Sequence, residues 1–226
     1  SWEYNKKLPD AWQIKYKNLT FNVKPMGFKH TGIFPEQAVN WDFIDEKIKS
    51  ANRDIKVLNL FAYTGGATVA AAKAGASVVH VDAAKGMVLW AKENAVSSGL
   101  ADAPIRYIVD DVIKFVCREI RRGNKYDAII MDPPTYGRGP NGEVWKFEDE
   151  LYPLIEKCMS LLSDNPLFMI VNSYTSNVSS TVVKNVLELS AKAKFGGYVT
   201  NDEIAIPVKN SGICLPCGAA TRWISK

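Results

Sequence analysis

The sequence predicts an α/β fold built on a doubly wound, mostly parallel sheet. From about residue 57 onward, short apolar runs rich in β-branched residues alternate with longer stretches of helical pattern, as is typical of repeated βα units. The run 128–131 is apolar throughout, as expected of a strand that helices cover on both faces. In such sheets ligands bind beyond the carboxyl ends of the strands.

The elements of this sheet follow one another along the chain. Strands are expected at 57–61, 77–81, 106–109, 128–131 and 167–171. Helices are expected at 68–74, 84–97, 112–122, 147–162 and 178–194. Two further runs, 198–200 and 220–224, are predicted to close the sheet as an antiparallel hairpin.

The first 50 residues have a different pattern. Apolar and polar residues alternate at 12–16 and 19–23 around Lys17-Asn18, which predicts a β-hairpin. A helix is expected from about 40 to 49. We therefore divide the chain into a small hairpin-and-helix extension at 1–50 and a main domain at 51–226.

Composition excludes several classes of protein. Among 226 residues, 47% are hydrophobic and 23% are charged, which is typical of a soluble globule and not of a disordered chain. No apolar run approaches about 18 residues, so no membrane span is expected. No secretory signal is visible, and the few, clustered cysteines indicate a cytoplasmic protein. The Cys214-Leu-Pro-Cys217 motif lacks further ligands, so a plain turn and no metal site are expected.

The positive charge is concentrated at one end of the chain. The net charge is +4, and residues 1–30 hold six lysines against Glu3 and Asp10. The whole excess therefore lies in the amino-terminal segment, and residues 31–226 sum to zero. A near-neutral main domain is compatible with a small-molecule or protein substrate as well as with a nucleic acid.

The loop after the first strand of the main domain reads Phe61-Ala-Tyr63-Thr-Gly65-Gly-Ala67. Glycines at a strand-to-helix turn let the backbone approach a ligand and aim helix N–H groups at it. The loop is not the GxGxxG of dinucleotide sites, and it suits a ligand that carries a carboxylate without a pyrophosphate. The alternative is a plain tight turn.

Acidic residues follow the next two strands. Asp82 is placed to accept both hydroxyl hydrogens of a ribose, or else to cap the following helix. Asp110-Asp111 ends the third strand, where one carboxylate can cap a helix and the other can accept from an adenine amine. By position Asp111 is the better adenine candidate and Asp110 the second; two solvated capping residues are the alternative.

The most specific string is Asp132-Pro133-Pro-Thr-Tyr136, after the fourth strand. The Pro-Pro pair fixes an extended turn, which exposes the Asp132 side chain and the Pro133 carbonyl as two acceptors. They suit an N–H group of a planar base, on which Tyr136 could stack; a turn with an incidental aromatic is the alternative. Residues 137–142 are expected to form a mobile loop, whose Arg138 could meet a phosphate or stay solvated.

With these loops in order, the chain resembles the class I S-adenosylmethionine-dependent methyltransferases. It is similar in particular to the bacterial large-subunit ribosomal RNA methyltransferases that methylate cytosine C5 or guanine N7. The matching strings are Asn59-Leu-Phe-Ala-Tyr-Thr-Gly-Gly66, Val81-Asp82, Asp110-Asp111-Val112, Met131-Asp-Pro-Pro134 with the aromatic residue 136, and Thr31-Gly-Ile-Phe-Pro-Glu-Gln37. The resemblance implies a Rossmann-like sheet, S-adenosylmethionine as cofactor, and Phe34 and Gln37 near its methionine end.

The sequence departs from the cytosine-C5 members in one loop. Those members place a nucleophilic cysteine after the fifth strand, where this chain reads Asn172-Ser-Tyr-Thr-Ser176. C5 methylation needs a thiolate that adds at C6, and Cys214 and Cys217 are expected to lie away from this loop. Attack by a nitrogen is therefore favoured.

The leading hypothesis is an RNA base methyltransferase that acts on ribosomal RNA. The carboxylate of S-adenosylmethionine would lie over the loop that contains Phe61, Tyr63 and Gly65, its ribose on Asp82 and its adenine near Asp111. Asp132, Pro133 and Tyr136 would hold the target base. A methyltransferase of small molecules or protein side chains and a catalytically silent binding module are the alternatives, and a homodimer stays open.

The six amino-terminal lysines form a candidate surface for the RNA backbone, with a solvated hairpin face as the alternative. They are Lys6, Lys7, Lys15, Lys17, Lys24 and Lys29.

Overall fold

A seven-stranded sheet organises the computed structural model of the chain, which describes residues 5–27, 30–138, 142–174 and 178–226. In chain order the strands are β1 (Trp12–Tyr16), β2 (Leu19–Val23), β3 (Lys56–Leu60), β4 (Ser77–Asp82), β5 (Ile105–Val109), β6 (Ala128–Met131), β7 (Tyr136–Arg138), β8 (Val144–Lys146), β9 (Phe168–Ser173), β10 (Tyr198–Pro207) and β11 (Cys214–Ile224). The large sheet has the order β10-β11-β9-β6-β3-β4-β5. Neighbouring strands from β9 to β5 run parallel, whereas β11 is antiparallel to both its neighbours. The predicted sheet and its closing hairpin are thus confirmed.

Helices connect the parallel strands. They are α1 (Ala38–Ser50), α2 (Gly66–Lys73), α3 (Lys85–Ser97), α4 (Val112–Arg121), α5 (Phe147–Met159), α6 (Ser180–Leu187) and α7 (Ala193–Phe195). The helix predicted at 178–194 is wrong as one element, because a π-helical turn at Glu188–Lys192 separates α6 from α7. The helix predicted at 147–162 ends at Met159, although the chain stays buried at Leu161 and Leu162.

The two faces of the sheet bury separate apolar clusters. One cluster contains the fully buried Phe115 and Phe147 of α4 and α5. On the other face, Ile44 of α1 packs with Val57 and Ile130. Since β3 and β6 are covered on both faces, β6 is apolar at all four positions and β3 at Val57, Leu58 and Leu60, which is the pattern that predicted them.

The amino-terminal hairpin forms with the predicted strands and packs on the main domain. Leu19 and Phe21 are buried in a cluster with Trp41 of α1. Asn94 of α3 accepts from the Asn22 backbone N–H at 2.8 Å and donates to the Thr64 carbonyl at 2.8 Å. The hairpin is therefore tied to the loop after β3, and the boundary at residue 50 stays a prediction.

The closing hairpin is longer than predicted. β10 and β11 pair from Tyr198↔Ile224 to Pro207↔Cys214, with a register shift between Ile204 and Ala205. The plain turn predicted at Cys214-Leu-Pro-Cys217 is therefore wrong, because these residues belong to β11. Pro216 is accommodated next to the bulge, where the ladder of backbone hydrogen bonds is already irregular.

Candidate active site

A large cavity lies where the strand order reverses. After β5 the chain returns to the far side of β3 and adds β6, and α/β sheets bind ligands at such a switch point. A cavity of about 630 Å³ opens there, within the range usual for small-molecule sites. Its lining includes Phe61 and Tyr63 after β3, Asp82 at the end of β4, Asp111 after β5, Asp132 and Pro133 after β6, and Tyr174 after β9.

A smaller cavity of about 50 Å³ adjoins the large one. Phe34 and Asp132 line both of them, while Gln37 and Asn172 line only the smaller. The structure thus brings the segment before α1 together with the loops after β6 and β9. Phe34 and Gln37 therefore lie beside other candidate residues; their predicted place near the methionine end of the cofactor stays a prediction.

The loop after β3 has a strained backbone. Phe61 and Tyr63 have φ of 53° and 49°, a left-handed conformation that non-glycine residues rarely adopt. The loop is held by hydrogen bonds from Ala62 N–H to the Val81 carbonyl at 3.0 Å and from the Thr64 hydroxyl to the Gly32 carbonyl at 2.6 Å. Such strain is concentrated at ligand sites, which points to a binding role for this loop.

Close packing explains the two glycines that end this loop. Gly65 has φ of +82°, and a Cβ there would lie 2.8 Å from the Ala91 Cβ. A Cβ at Gly66, the first residue of α2, would lie 3.0 Å from Trp41 Cζ2. Only glycine lets the amino terminus of α2 approach so closely, and that terminus offers unpaired N–H groups to an anion.

Gly65→Ala is expected to lower both stability and cofactor affinity. Left-handed strain and the clash with Ala91 together should cost about 2–4 kcal/mol of the free energy of unfolding. A displaced loop should weaken binding of S-adenosylhomocysteine by about 10- to 100-fold. Denaturant titration and calorimetry measure the two effects.

The matched control is Gly123→Ala. Gly123 also has a positive φ, +67°, but a Cβ there meets no atom within 4 Å. This variant should lose about 1 kcal/mol and keep its affinity for S-adenosylhomocysteine. Equal losses of affinity in the two variants would contradict the special role of Gly65.

Asp82 joins two loops at the rim of the cavity. Its carboxylate accepts from the backbone N–H groups of Tyr63 and Ala84, both at 2.8 Å. Burial raises the pKa of Asp82, and these two hydrogen bonds oppose that effect. Because each carboxylate oxygen has a second lone pair, the contact with Ala84 before α3 and a ribose contact are compatible; the ribose contact stays a prediction.

The two carboxylates after β5 have different surroundings. Asp111 caps α4 by accepting from the Lys114 N–H at 2.9 Å, and it also lines the large cavity. Asp110 forms an ion pair with Arg118 and accepts from the Asp111 N–H at 2.9 Å. Asp110 is not among the residues that line the cavity, so Asp111 is the better placed of the two for a ligand.

Asp132 is the most perturbed acid of the site. Burial, with a further contribution from the charge of Glu36, raises its pKa to about 7. Its neighbour Pro133 lines the large cavity, and the Pro134 carbonyl accepts from Trp145 Nε1 at 2.6 Å. The Pro-Pro segment is thereby held in place, with the Asp132 carboxyl facing both cavities.

Tyr136 differs from its predicted position. It is half exposed, its hydroxyl accepts from Arg138 Nε at 3.1 Å, and it is not part of the cavity lining. The loop predicted at 137–142 is in part a hairpin, since β7 pairs with β8; residues 139–141 lie outside the described residues. Arg138 does line the cavity, and both stacking on Tyr136 and a phosphate contact of Arg138 stay predictions.

Sequence reasoning missed Tyr174 and its hydrogen bond with the predicted site residue Gln37. Tyr174 lines the large cavity, and its hydroxyl accepts from Gln37 Nε2. Its ring lies 6.2 Å from that of Phe34, centroid to centroid. The only sequence signal is an aromatic residue directly after β9, in the loop where the cytosine-C5 methyltransferases carry a cysteine.

The expectation that Cys217 lies away from this loop is wrong. Ala219 pairs with Ser173 across β11 and β9, and a Cβ at Gly218 would lie 2.7 Å from Tyr174 Cδ1. Cys217 is therefore close to the end of β9. Burial and the charge of Glu36 raise the pKa of its thiol, and the thiol donates to the Leu215 carbonyl at 3.4 Å.

Two of the amino-terminal lysines have partners within the protein. Lys17 pairs with Asp42 at 2.6 Å, and Lys24 Nζ lies 4.6 Å from the Trp90 ring centroid. Lys29 lies outside the described residues. Lys6, Lys7 and Lys15 are exposed, and so are Lys17 and Lys24 despite these contacts; the contact of this surface with RNA stays a prediction.

The sequence predicts neither a metal site nor a membrane-spanning helix. Among the residues that the structure describes, no group of three or more His, Cys, Asp or Glu side chains is arranged to hold a metal ion. Within the same residues, no helix is both long and apolar enough to cross a bilayer.

The strand order and the reversed β11 define a Rossmann-like methyltransferase fold, with its cavity at the switch point. A family model described as S-adenosylmethionine-dependent methyltransferase matches residues 2–157, and the chain belongs to this family.

Solved structures agree with this assignment. An S-adenosylmethionine-dependent methyltransferase from Agrobacterium tumefaciens superposes with a TM-score of 0.94 at 38% identity, over 98% of this chain and 72% of that chain. The structure of SMU.776 complexed with SAH gives a TM-score of 0.76 at 25% identity, over 98% of this chain and 58% of that chain.

Among curated proteins, the chain is similar to ribosomal RNA large subunit methyltransferase K/L. The protein of this name from Shewanella frigidimarina is 31% identical over 191 residues, which cover 83% of this chain. That from Shewanella amazonensis is 36% identical over 125 residues, or 55% of this chain. The chain spans about a quarter of the length of the first of these relatives and 17% of the second.

Proposed function

We propose that this methyltransferase acts on a base of ribosomal RNA, at a nitrogen and not at cytosine C5, in the cytoplasm. The RNA substrate is supported by the names of the curated relatives. The observation that carries the choice of a base is the half-buried Asp132, which lines the cavity together with Pro133. These two acceptors suit the N–H groups on the edge of a flipped-out base.

The residues of the cavity fit S-adenosylmethionine. The strained turn with Gly65 and the amino terminus of α2 would hold the amino-acid end, with Phe34 and Gln37 beside it. Asp82 would accept from the ribose hydroxyls, and Asp111 would lie near the adenine. When bound, the cofactor supplies an electrophilic methyl group on a sulfonium.

The protein's own residues would position the target base and accept a proton from the attacking nitrogen. The Pro133 carbonyl and Asp132 would orient the base so that a nitrogen lone pair faces the methyl group. Where the attacking nitrogen carries a hydrogen, the ionised Asp132 can accept that proton, since its pKa lies near neutral pH.

The absence of an activated thiol supports nitrogen over carbon. C5 methylation needs a cysteine thiolate, and Cys217 lies near the end of β9. The raised pKa of this thiol keeps it protonated at neutral pH. The direction of this pKa shift supports a nitrogen target, although Cys217 lies near the end of β9.

Cys217→Ser is accordingly expected to keep methyl transfer within about threefold of wild type, because a hydroxyl replaces the thiol without loss of a catalytic group. Initial rates with labelled cofactor and RNA measure this. A loss of 100-fold or more, together with a protein–RNA adduct that forms only in the wild type, would instead establish C5 chemistry.

The acceptor class is tested by incubating the protein with methyl-labelled S-adenosylmethionine and three separate pools: ribosomal RNA from a strain that lacks the corresponding gene, RNA-free protein, and a small-molecule extract. Label in the RNA alone is the expected result. Label in either other pool would support a different substrate, and cofactor binding without transfer to any pool would support a silent binding module.

A further inference from the structure

A chain of buried hydrogen bonds begins at Arg222 of β11. Its Nε and Nη2 donate to Asn40 Oδ1 at 2.9 and 2.6 Å, and its Nη1 pairs with Asp202 at 3.2 Å. A guanidinium has donors and no acceptor. The oxygen of the Asn40 amide must therefore face Arg222, and its nitrogen must face the opposite way.

The amide nitrogen of Asn40 in turn fixes the orientation of the Gln37 amide. It donates to Gln37 Oε1 at 2.7 Å and to Asn172 Oδ1 at 3.0 Å, and Asn172 Nδ2 also donates to Gln37 Oε1 at 3.2 Å. All three amide side chains are buried. Because Gln37 Oε1 is occupied by donors, Gln37 has only its Nε2 left to direct at Tyr174.

The Tyr174 hydroxyl is the end of the chain of hydrogen bonds. Its oxygen accepts from Gln37 Nε2, so its own hydrogen is free for another partner. Within the described part of the chain this hydroxyl donates to no protein acceptor. The ring lies against the backbone at Gly218 and lines the large cavity. Burial raises the pKa of Tyr174, so the hydroxyl keeps its proton.

We propose that Arg222, Asn40 and Gln37 form a donor relay that presents the Tyr174 hydroxyl hydrogen to the cavity, where it binds an acceptor atom of the target base. This inference rests on the proposed function. The acceptor is a carbonyl oxygen or an unprotonated ring nitrogen. Asp132 and Pro133 line the same cavity as Tyr174 and offer only acceptors to a base, so Tyr174 supplies the donor that these two groups lack.

Two variants remove the Tyr174 hydroxyl hydrogen from the cavity in different ways. Tyr174→Phe deletes it and keeps the ring. Asn40→Asp reverses the relay, because a carboxylate still accepts from Arg222 but draws the Gln37 nitrogen toward itself. The Gln37 oxygen then faces Tyr174 and takes its hydrogen. Asn40 lines neither cavity, so this change reaches them through its partners Gln37 and Asn172.

The readouts are kcat/KM for large-subunit ribosomal RNA transcribed in vitro, the Kd for S-adenosylhomocysteine and the thermal midpoint. Each variant should lose roughly tenfold in kcat/KM, as for one hydrogen bond, with an unchanged Kd for S-adenosylhomocysteine. The double variant should lose no more than Tyr174→Phe alone, since both changes remove the same hydrogen. Tyr152→Phe on the exposed face of α5 is the control and should match wild type.

Several results would overturn the relay. Wild-type kcat/KM in Tyr174→Phe would show that the hydroxyl binds no target atom. Full activity in Asn40→Asp, or additive losses in the double variant, would show that Asn40 does not orient the hydroxyl. A weakened Kd for S-adenosylhomocysteine in Tyr174→Phe would assign the hydroxyl to the cofactor. Methyl transfer to RNA by the wild-type protein tests the proposed function separately. The relay is tested by the ratio of kcat/KM in each variant to kcat/KM in the wild type.

Discussion

Asp132→Asn is expected to reduce methyl transfer to RNA by about 10²- to 10⁴-fold, the usual contribution of a positioned acid–base group. An amide keeps the shape of the side chain but replaces one acceptor oxygen with a donor and cannot take up a proton. The affinity for S-adenosylhomocysteine should stay within a few-fold of wild type. Single-turnover rates and calorimetry measure the two quantities.

The pH dependence of this variant gives a second readout. The folded-state pKa of Asp132 is raised to about 7, so kcat/KM of the wild type should rise with pH up to about 7 as the carboxylate forms. Asp132→Asn should lose this rise. Since the raised pKa means that the native state binds an extra proton between about pH 4 and 7, stability from this group falls as pH increases through that window. At pH 8 the variant should therefore be at least as stable as wild type.

A matched control is Asp149→Asn on α5, because Asp149 is exposed and outside the cavity. This variant should keep the rate and the pH profile of wild type. Wild-type turnover in Asp132→Asn would contradict the assignment of Asp132. A parallel loss of thermal stability would show instead that the residue is structural.

Asp82→Ala is expected to weaken binding of S-adenosylhomocysteine by about 100-fold or more. The carboxylate accepts from the N–H groups of Tyr63 and Ala84 and is proposed to accept from the ribose as well. Hydrogen bonds to a charged group contribute about 1.5–3 kcal/mol each, and a loosened Tyr63 would also displace the cofactor loop. Calorimetric titration measures the affinity directly.

Asp127→Asn separates the role of Asp82 from general support of the sheet. Asp127 also accepts from a backbone N–H of the sheet, that of Lys56 at 2.8 Å, but at the amino end of β3. Its replacement should reduce stability by about 1–2 kcal/mol without changing the Kd. If Asp82→Ala bound S-adenosylhomocysteine as tightly as wild type, the ribose assignment would be refuted.

Much of the sheet could be predicted because strands that are buried on both faces have mostly apolar sequences. The strand at 128–131 was predicted with its observed limits, and the strand at 57–61 begins and ends one residue early in the structure. Helix ends were less predictable. Leu161 and Leu162 continue the apolar pattern of α5 but are buried beyond its last turn, and periodicity does not distinguish the two cases.

The site was predictable where it depends on strand ends. Asp82, Asp111 and Asp132 each follow a parallel strand, so their convergence on one cavity follows from topology. The contact between Gln37 and Tyr174 joins residues 137 positions apart, and the approach of Cys217 to the end of β9 depends on an antiparallel pairing. Neither leaves a local pattern, because both depend on how distant segments pack.

The most direct test of the proposed nitrogen chemistry is to locate the methyl group. Large-subunit ribosomal RNA from a strain without the corresponding gene would be incubated with the wild-type protein and labelled S-adenosylmethionine, digested to nucleosides and analysed by mass spectrometry against standards. We predict one labelled nucleoside with the methyl group on a base nitrogen, and none with Asp132→Asn. Label at cytosine C5, on the ribose or in no nucleoside at all would contradict the account.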